Sequence, residues 1–200
     1  MRKERSPDPR AARTRDKLAA AFTGLAARNS GVPLSVSDIT HAAGLNRSSF
    51  YAHFDDTADL ALYVLEKALA EISVGNARDR AAGSVSGRAA TTAALERLLD
   101  QVEHQRAELV AVFGSAAGGA ARFRFGEQLR IDLREYLDRL DTEPPREAGE
   151  LDTAAEFVGH GLAASVVGWL TGVIDASRRE LVPMLVDLVP RWVADGRPRP

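Results

Sequence analysis

The sequence contains no cysteine. Disulfides, thiolate zinc sites and cysteine nucleophiles are therefore excluded, and a reducing cytoplasm is the natural compartment. No apolar run approaches the roughly 20 residues that a membrane-spanning helix needs. The charged N-terminus, MRKERSPDPRAARTR, also lacks the apolar segment of a secretory signal. We therefore expect a cytoplasmic protein without a membrane span.

The sequence also lacks the common motifs of catalysis. It contains no GxSxG, no P-loop, no GxGxxG and no HExxH. Its four histidines lie far apart along the chain, at none of the spacings typical of metal ligands. The adjacent acids Asp55 and Asp56 are explained as helix caps. We therefore expect no enzyme, with no catalytic residues, no cofactor and no metal site.

The composition indicates a folded protein whose charge is unevenly distributed. The chain has 200 residues, of which 45% are hydrophobic, enough for one medium domain or two small ones. The formal net charge is only −2. Residues 1–54 hold 9 basic and 4 acidic residues, whereas residues 55–200 hold 17 and 24. A basic head on an acidic body suits a polyanion that binds the head alone, although such a split also arises by chance.

Hydrophobic periodicity predicts an all-α protein of about nine helices, without a sheet. Glycines and prolines separate the helices. The expected bounds are Arg10–Asn29, Ser35 to the turn at Gly44, Asn46 to about His53, Asp56–Asn76, Arg88–Glu103, a short helix to Phe113, Ala120–Leu140, Leu151–Ile174 and Arg178–Ala194.

Residues 35–54, SVSDITHAAGLNRSSFYAHF, predict two short helices joined by a tight turn. Ser35 with Asp38 forms a plausible capping box, Gly44 supplies the positive φ of the turn, and Asn46 caps the second helix. The inner face of the first helix is expected to hold Val36, Ile39, Ala42 and Ala43. Ile39, Leu45 and Phe50 can close a small trihelical core against Phe22 and Leu25, with Phe54 also inside.

The outward positions of this helix pair are hydrogen-bond donors. No Asp or Glu occurs between Thr40 and Phe54, and a carboxylate there would weaken binding to phosphate. A unit of two short helices commonly places side chains in a DNA major groove, although most such pairs only pack. The pattern therefore favours a helix-turn-helix that binds double-stranded DNA.

The segment SVSDITHAAGLNRSSFYAHF, followed by DDTADL, resembles the N-terminal head of TetR-type (TetR/AcrR-like) transcriptional regulators. The resemblance rests on Ser35, Ala43-Gly44 and the ending Tyr51-Ala52-His53-Phe54, and it covers residues 10–60. The rest matches in length, helix content and order. Residues 1–9 are rich in proline and charge, so we expect a disordered basic arm there. The resemblance implies a helix-turn-helix DNA-binding domain (10–56) and a helical regulatory and dimerisation domain (57–200).

The resemblance also implies roles for single residues. Ser37, Arg47 and Ser48 are expected to contact base edges, with Asn46 assisting, and Arg47 can bind guanine bidentately. Ser35, Ser49, Tyr51 and His53 are expected to hold phosphates, although His53 can instead be a neutral core histidine. Lys3, Arg5, Arg10, Arg13 and Arg15 can add phosphate or minor-groove contacts.

Thr57 departs from the family pattern. Many members carry Lys or Arg at this start of helix 4, where a phosphate lies. The Thr57 hydroxyl and the helix N-terminal N–H groups can still hold that phosphate, but without a positive charge. We therefore expect weaker or more salt-sensitive binding.

A homodimer is expected because one short reading helix seldom holds DNA tightly alone. Helices 8 and 9 are apolar on more than one face. The second apolar face of each must be covered, either by another part of the same subunit or by a partner subunit. The dimer interpretation, which is also the family arrangement, is preferred. Its candidate residues are Phe157, Gly161, Leu162, Ser165, Trp169, Leu185, Leu188 and Trp192.

The resemblance further implies a ligand pocket among helices 5 to 8. The candidate lining consists of His104, Phe113, Phe123, Phe125, His160 and Trp169, each of which can equally be a core residue. A mixed apolar lining suits a small apolar or aromatic inducer, while Arg122, Arg124 and Arg130 leave an anionic inducer open. The resulting hypothesis is a repressor that an inducer releases from its operator. The alternative is a helical homodimeric interaction module without ligand-regulated DNA binding.

Overall fold

The computed structural model describes residues 9–28, 33–80, 87–141 and 146–198. Within them the chain forms ten α-helices and one antiparallel pair of two-residue strands. None of the helices in this part of the chain is both long and apolar enough to cross a membrane. The elements are α1 Pro9–Arg28, α2 Val36–Ala43, α3 Arg47–Tyr51, α4 Thr57–Arg80, α5 Arg88–His104, α6 Arg106–Phe113, α7 Gly118–Leu137, β1 Leu140–Asp141, α8 Ala148–Leu170, α9 Arg178–Leu188, α10 Arg191–Ala194 and β2 Arg197–Pro198.

The predicted all-α class is confirmed. The chain forms two compact units, each held together by its own internal contacts. The first unit holds α1 to α3, α4 as far as Ala68, α6 from Ala107 onward and the first turn of α7. The second unit holds the rest of α4, α5, most of α7 and all elements from β1 onward. Helix α4 therefore continues from one unit into the other. The predicted basic arm lies outside the described residues, apart from Pro9.

In the first unit, α2 contacts both α1 and α3. Phe22, Ile39, Phe50 and Phe54 are buried, as the sequence predicted. The expected inner face of α2 was partly wrong, because Ala42 is exposed and Thr40 is buried in its place. The hydroxyl of Thr40 donates to the carbonyl of Val36 at 2.8 Å, so a buried threonine carries no unpaired donor.

The core of the second unit combines its long helices with the C-terminal segment. Helix α5 contacts α9 and α10, and its predicted inner residues Leu95, Leu98, Leu99 and Val102 are all buried. A further buried cluster holds Leu137, Leu140, Ala155, Val158, Val189, Val193 and Ala194. The strand pair joins Leu140 to Pro198, so the expectation of no sheet was wrong at this one point.

Four predicted helices have ends that differ by more than two residues. Helix α4 runs on to Arg80, and α7 ends early at Leu137 because Leu140 belongs to β1. Helix α8 begins at Ala148, three residues early, because the Glu150 carboxylate accepts from the Glu147 N–H at 3.2 Å and stabilises the first turn. It ends at Leu170, before Gly172 at φ 78°. The predicted last helix is broken by Pro190 into α9 and α10, which raises the count to ten.

Candidate nucleic-acid interface

The start of α2 is held by the predicted capping box. The backbone N–H of Asp38 donates to Ser35 Oγ at 3.2 Å, and the Ser35 N–H donates to Asp38 Oδ2 at 3.0 Å. The Ser35 hydroxyl, followed by its backbone N–H, holds the pKa of the Asp38 carboxyl below its usual value. Because the hydroxyl also donates to Asp38 at 2.6 Å, a phosphate at Ser35 would have to share or displace this bond.

The turn between α2 and α3 depends on Gly44. Its φ of 65° and ψ of 35° are left-handed, and its N–H donates to the His41 carbonyl at 3.1 Å. The next residue, Leu45, donates to the Thr40 carbonyl at 2.9 Å. These bonds close the C-terminal end of α2 and set the direction in which α3 leaves.

Gly44→Ala is expected to destabilise the protein by about 1–2 kcal/mol through the left-handed backbone. No atom lies within 4 Å of the position that the new Cβ would occupy, so a clash adds nothing. Gly149→Ala is the matched control, because Gly149 lies in the first turn of α8 with equally open surroundings and without a positive φ. Urea unfolding of both variants measures the difference, and equal stabilities would contradict the strain at Gly44.

The start of α3 is organised around one atom, Oδ1 of Asn46. It accepts from the backbone N–H of Ser49 at 2.8 Å, from Ser48 Oγ at 2.7 Å and from Ser49 Oγ at 2.8 Å. The prediction that Asn46 caps α3 is confirmed. Because both serine hydroxyls donate to Asn46, a phosphate or base acceptor at either serine would have to share or displace that bond.

The outward face of α3 carries long donors. Arg47 is exposed, and Tyr51 is 58% exposed with its ring edge-on to buried Phe50 at 5.5 Å between centroids. Ser37 on α2 is exposed too, and His53, just after α3, is half-buried. The aromatic core holds α3 from inside while its donors face away from that core.

The start of α4 combines acids with a hydroxyl. The Asp59 N–H donates to Asp56 Oδ1 at 2.8 Å, and the Asp55 N–H donates to Asp59 Oδ2 at 3.1 Å. The prediction that Asp56 caps α4 is confirmed. Thr57 is the first residue of this helix and is half-buried beside these carboxylates.

One predicted phosphate ligand has a different local role. The Arg15 guanidinium lies over the Tyr63 ring, 5.6 Å from its centroid. On the same pair of helices, Lys67 Nζ lies 2.7 Å from Asp16 Oδ1. These contacts link α1 to α4 at residues about 50 positions apart, so no local pattern predicts them. Arg10 and Arg13 lie on α1, whereas Lys3 and Arg5 lie outside the described residues.

The six candidate pocket residues are spread over both units. Phe113 is buried in the first unit, while Phe125 and Trp169 are buried in the second. Trp169 Nε1 donates to the Ala176 carbonyl at 3.0 Å. The structure brings Phe123, which is 63% exposed, against His160 with ring centroids 5.6 Å apart.

The sixth candidate, His104, is exposed at the end of α5 and lines an open groove of about 340 Å³. The groove is formed by Glu71, Ile72, Asp100, Gln101, His104 and Gln105. A larger groove of about 520 Å³ between α5 and α9 contains none of the six candidates. Its lining includes Arg88, Arg178 and Arg179 beside Val182, Pro183 and Val186.

The predicted dimer residues divide into exposed and buried positions. Phe157 is 74% and Leu188 69% exposed, and Gly161 is also exposed. Leu162, Ser165 and Trp192 are half-buried, whereas Trp169 and Leu185 are buried within the chain itself. Ala164 and Met184, which were not predicted, are also exposed and extend the apolar surface along α8 and α9.

No protein-family model matches the sequence, and the search of curated proteins found no match. Solved structures do match. A TetR transcriptional regulator from Streptococcus agalactiae aligns with a TM-score of 0.63 and 19% identity, over 91% of this chain and 96% of that one. The fatty acid degradation regulator FadR from Bacillus halodurans gives 0.61 and 17%, over 98% and 100%.

The dihydroxyacetone kinase operon activator DhaS gives a TM-score of 0.59 and 19% identity, over 88% of this chain and 93% of that one. The chain thus has the fold of TetR-type transcriptional regulators.

Proposed function

We propose that this protein is a DNA-binding transcriptional regulator. The observation that supports it is the outward face of the helix-turn-helix, where Arg47, Ser37 and Tyr51 are exposed and no acid occurs from Thr40 to Phe54. Arg47 contacts bases, with Ser37 and Ser48 beside it. Tyr51, His53 and Thr57 contact phosphates, Ser35 and Ser49 do so by sharing hydroxyls that donate within the chain, and Asn46 acts as the cap that positions α3.

The regulator acts as a homodimer, because one short α3 reads too few base pairs for tight binding. Exposed apolar residues support this step. Phe157, Gly161 and Ala164 lie at helical spacing along α8, and Met184 and Leu188 lie one turn apart on α9. We name these five residues the α8–α9 stripe. When the stripes of two subunits pair across a two-fold axis, each stripe is buried against the other.

A small-molecule inducer, most simply an apolar or aromatic one, regulates the dimer. The ligand lowers operator affinity only if it prefers a state of the dimer that fits DNA poorly. Helix α4 runs unbroken from one unit into the other and supplies a covalent link between the ligand-binding and DNA-binding parts. The ligand-free dimer at its operator acts as a repressor, whereas one structure that resembles this chain is described as an activator.

A mobility-shift titration of purified protein against DNA selected from a random pool tests the proposal. We expect sequence-selective binding whose affinity is lower at the higher of two salt concentrations. Binding neutralises phosphates and releases their counterions, and added salt opposes that release. An interaction module with no DNA-binding role would shift none of the duplexes. Repeating the titration with candidate inducers tests regulation, and equal affinities with every ligand offered would contradict it.

A further inference from the structure

Two glutamates and a histidine meet where α7 faces α8 in the second unit. His160 Nε2 lies 3.1 Å from Glu127 Oε1 and 3.5 Å from Glu156 Oε1. One nitrogen and two carboxylate oxygens therefore lie within 4.8 Å of one another. Glu156 and His160 are four residues apart on α8, and Glu127 comes from α7.

The His160 ring is held by its neighbours in the orientation that points Nε2 at the carboxylates. It occupies the space in which a side chain at Gly126 would lie, since a Cβ there would collide with the ring. The ring also stacks on Phe123, at 27° between planes. At Gly159 a Cβ would meet the Arg130 backbone at 2.7 Å, so a second glycine lets α7 and α8 approach.

Arg130 orients both carboxylates. Its Nε and Nη2 donate to Glu127 Oε1 and Oε2 at 3.0 and 3.1 Å, and its Nε lies 3.6 Å from Glu156 Oε2. This guanidinium, followed by the His160 ring, holds the pKa of Glu127 below its usual value. Two carboxylates and one guanidinium leave a net charge of −1 beside a histidine, which favours the addition of a cation.

We propose that Glu127, Glu156 and His160 bind one divalent transition-metal ion, for which zinc is the best match. Zinc bonds of ~2.0–2.2 Å to histidine nitrogen and carboxylate oxygen place tetrahedral ligand atoms roughly 3.3–3.6 Å apart. The two distances from Nε2, 3.1 and 3.5 Å, are close to that spacing. Arg130 stays on the carboxylates as an outer partner, and water fills the fourth position.

The opposing explanation is an ion-pair cluster in which Arg130 and a protonated His160 neutralise the two glutamates. Both explanations use the same contacts, but only the metal site takes up zinc in proportion to protein. The proposal goes beyond the proposed DNA binding, and its test contains no DNA. A negative zinc titration would therefore leave the proposed DNA binding untouched, and a failure to bind DNA would leave the zinc site untouched.

The test is isothermal titration of Zn²⁺ into the full-length, untagged protein after treatment with a chelator. We expect one zinc per chain, a rise in Tm with zinc, and at least a roughly tenfold loss of affinity in His160→Gln and in Glu127→Gln. His41→Gln, which removes an exposed histidine of α2, is the matched control and should bind zinc like the parent.

Glu156→Gln provides a third variant at a side chain that is 63% exposed, so its folding is least affected. Far-UV circular dichroism confirms that each variant is helical before titration. Absence of zinc uptake by the parent would overturn the proposal, as would unchanged zinc affinity in folded His160→Gln or Glu156→Gln. Cobalt(II) bound at the site should give visible absorption bands that disappear in the same variants.

Discussion

Arg47→Ala is expected to weaken operator binding by roughly 5- to 150-fold, which corresponds to about 1–3 kcal/mol. Arg47 is the exposed first residue of α3, so its guanidinium is placed to reach a base edge without disturbing the core. Bidentate hydrogen bonds from arginine to guanine depend on the base, whereas phosphate contacts do not. The variant should therefore also lose preference at one base pair of each half-site.

The measurement is DNA selection followed by quantitative binding to the selected site and to single-base variants of it. Arg13→Ala is the matched control, because Arg13 is an exposed arginine of α1 that is expected to meet phosphate. It should weaken binding to all sequences alike and lower the salt dependence. A base preference that is unchanged in Arg47→Ala would remove Arg47 from the reading position.

The local features of the helix-turn-helix were predictable because their partners are three residues apart. Ser35 with Asp38, Asn46 with Ser49, and Asp56 with Asp59 each form the expected cap. At a helix start, residues that are three positions apart in the sequence are also neighbours in space. The turn at Gly44 was predictable from residue type alone, because glycine adopts a positive φ without strain.

Helix ends in the second unit were harder, because the same residue type acts differently by position. Pro183 lies inside α9, whereas Pro190 ends it and leaves Val189 extended at ψ 131°. Because Val189 and Val193 share one buried cluster on either side of this break, packing stabilises the broken form. Tertiary contacts of this kind have no signature in a local apolar period.

The candidate zinc site could not be found from spacing, since Glu127 and His160 are 33 residues apart. Their meeting depends on Gly126 and Gly159, which let α7 and α8 approach. The expectation that the histidines hold no metal considered spacing along the chain alone. A ligand set divided between two helices appears only when the fold brings them together.

Replacing both Phe157 and Leu188 with aspartate is expected to convert a dimer into a monomer and to abolish detectable operator binding. Burying a phenylalanine or leucine that is otherwise exposed contributes about 1.5–3 kcal/mol for each side chain. In a two-fold interface each substitution is present twice, so four such contributions are lost. Four carboxylates would also be placed in an apolar interface, where an unpaired charge is costly.

The measurements are analytical ultracentrifugation and the mobility-shift titration, made on the same preparations. Val110→Asp is the matched control, since Val110 is an exposed apolar residue of α6 outside the α8–α9 stripe. It should stay dimeric and bind the operator like the parent. A double variant that remains a dimer would place the interface elsewhere. A folded monomer that still binds the operator at parental affinity would mean that one α3 is sufficient, against the requirement for two heads spaced by one turn of DNA.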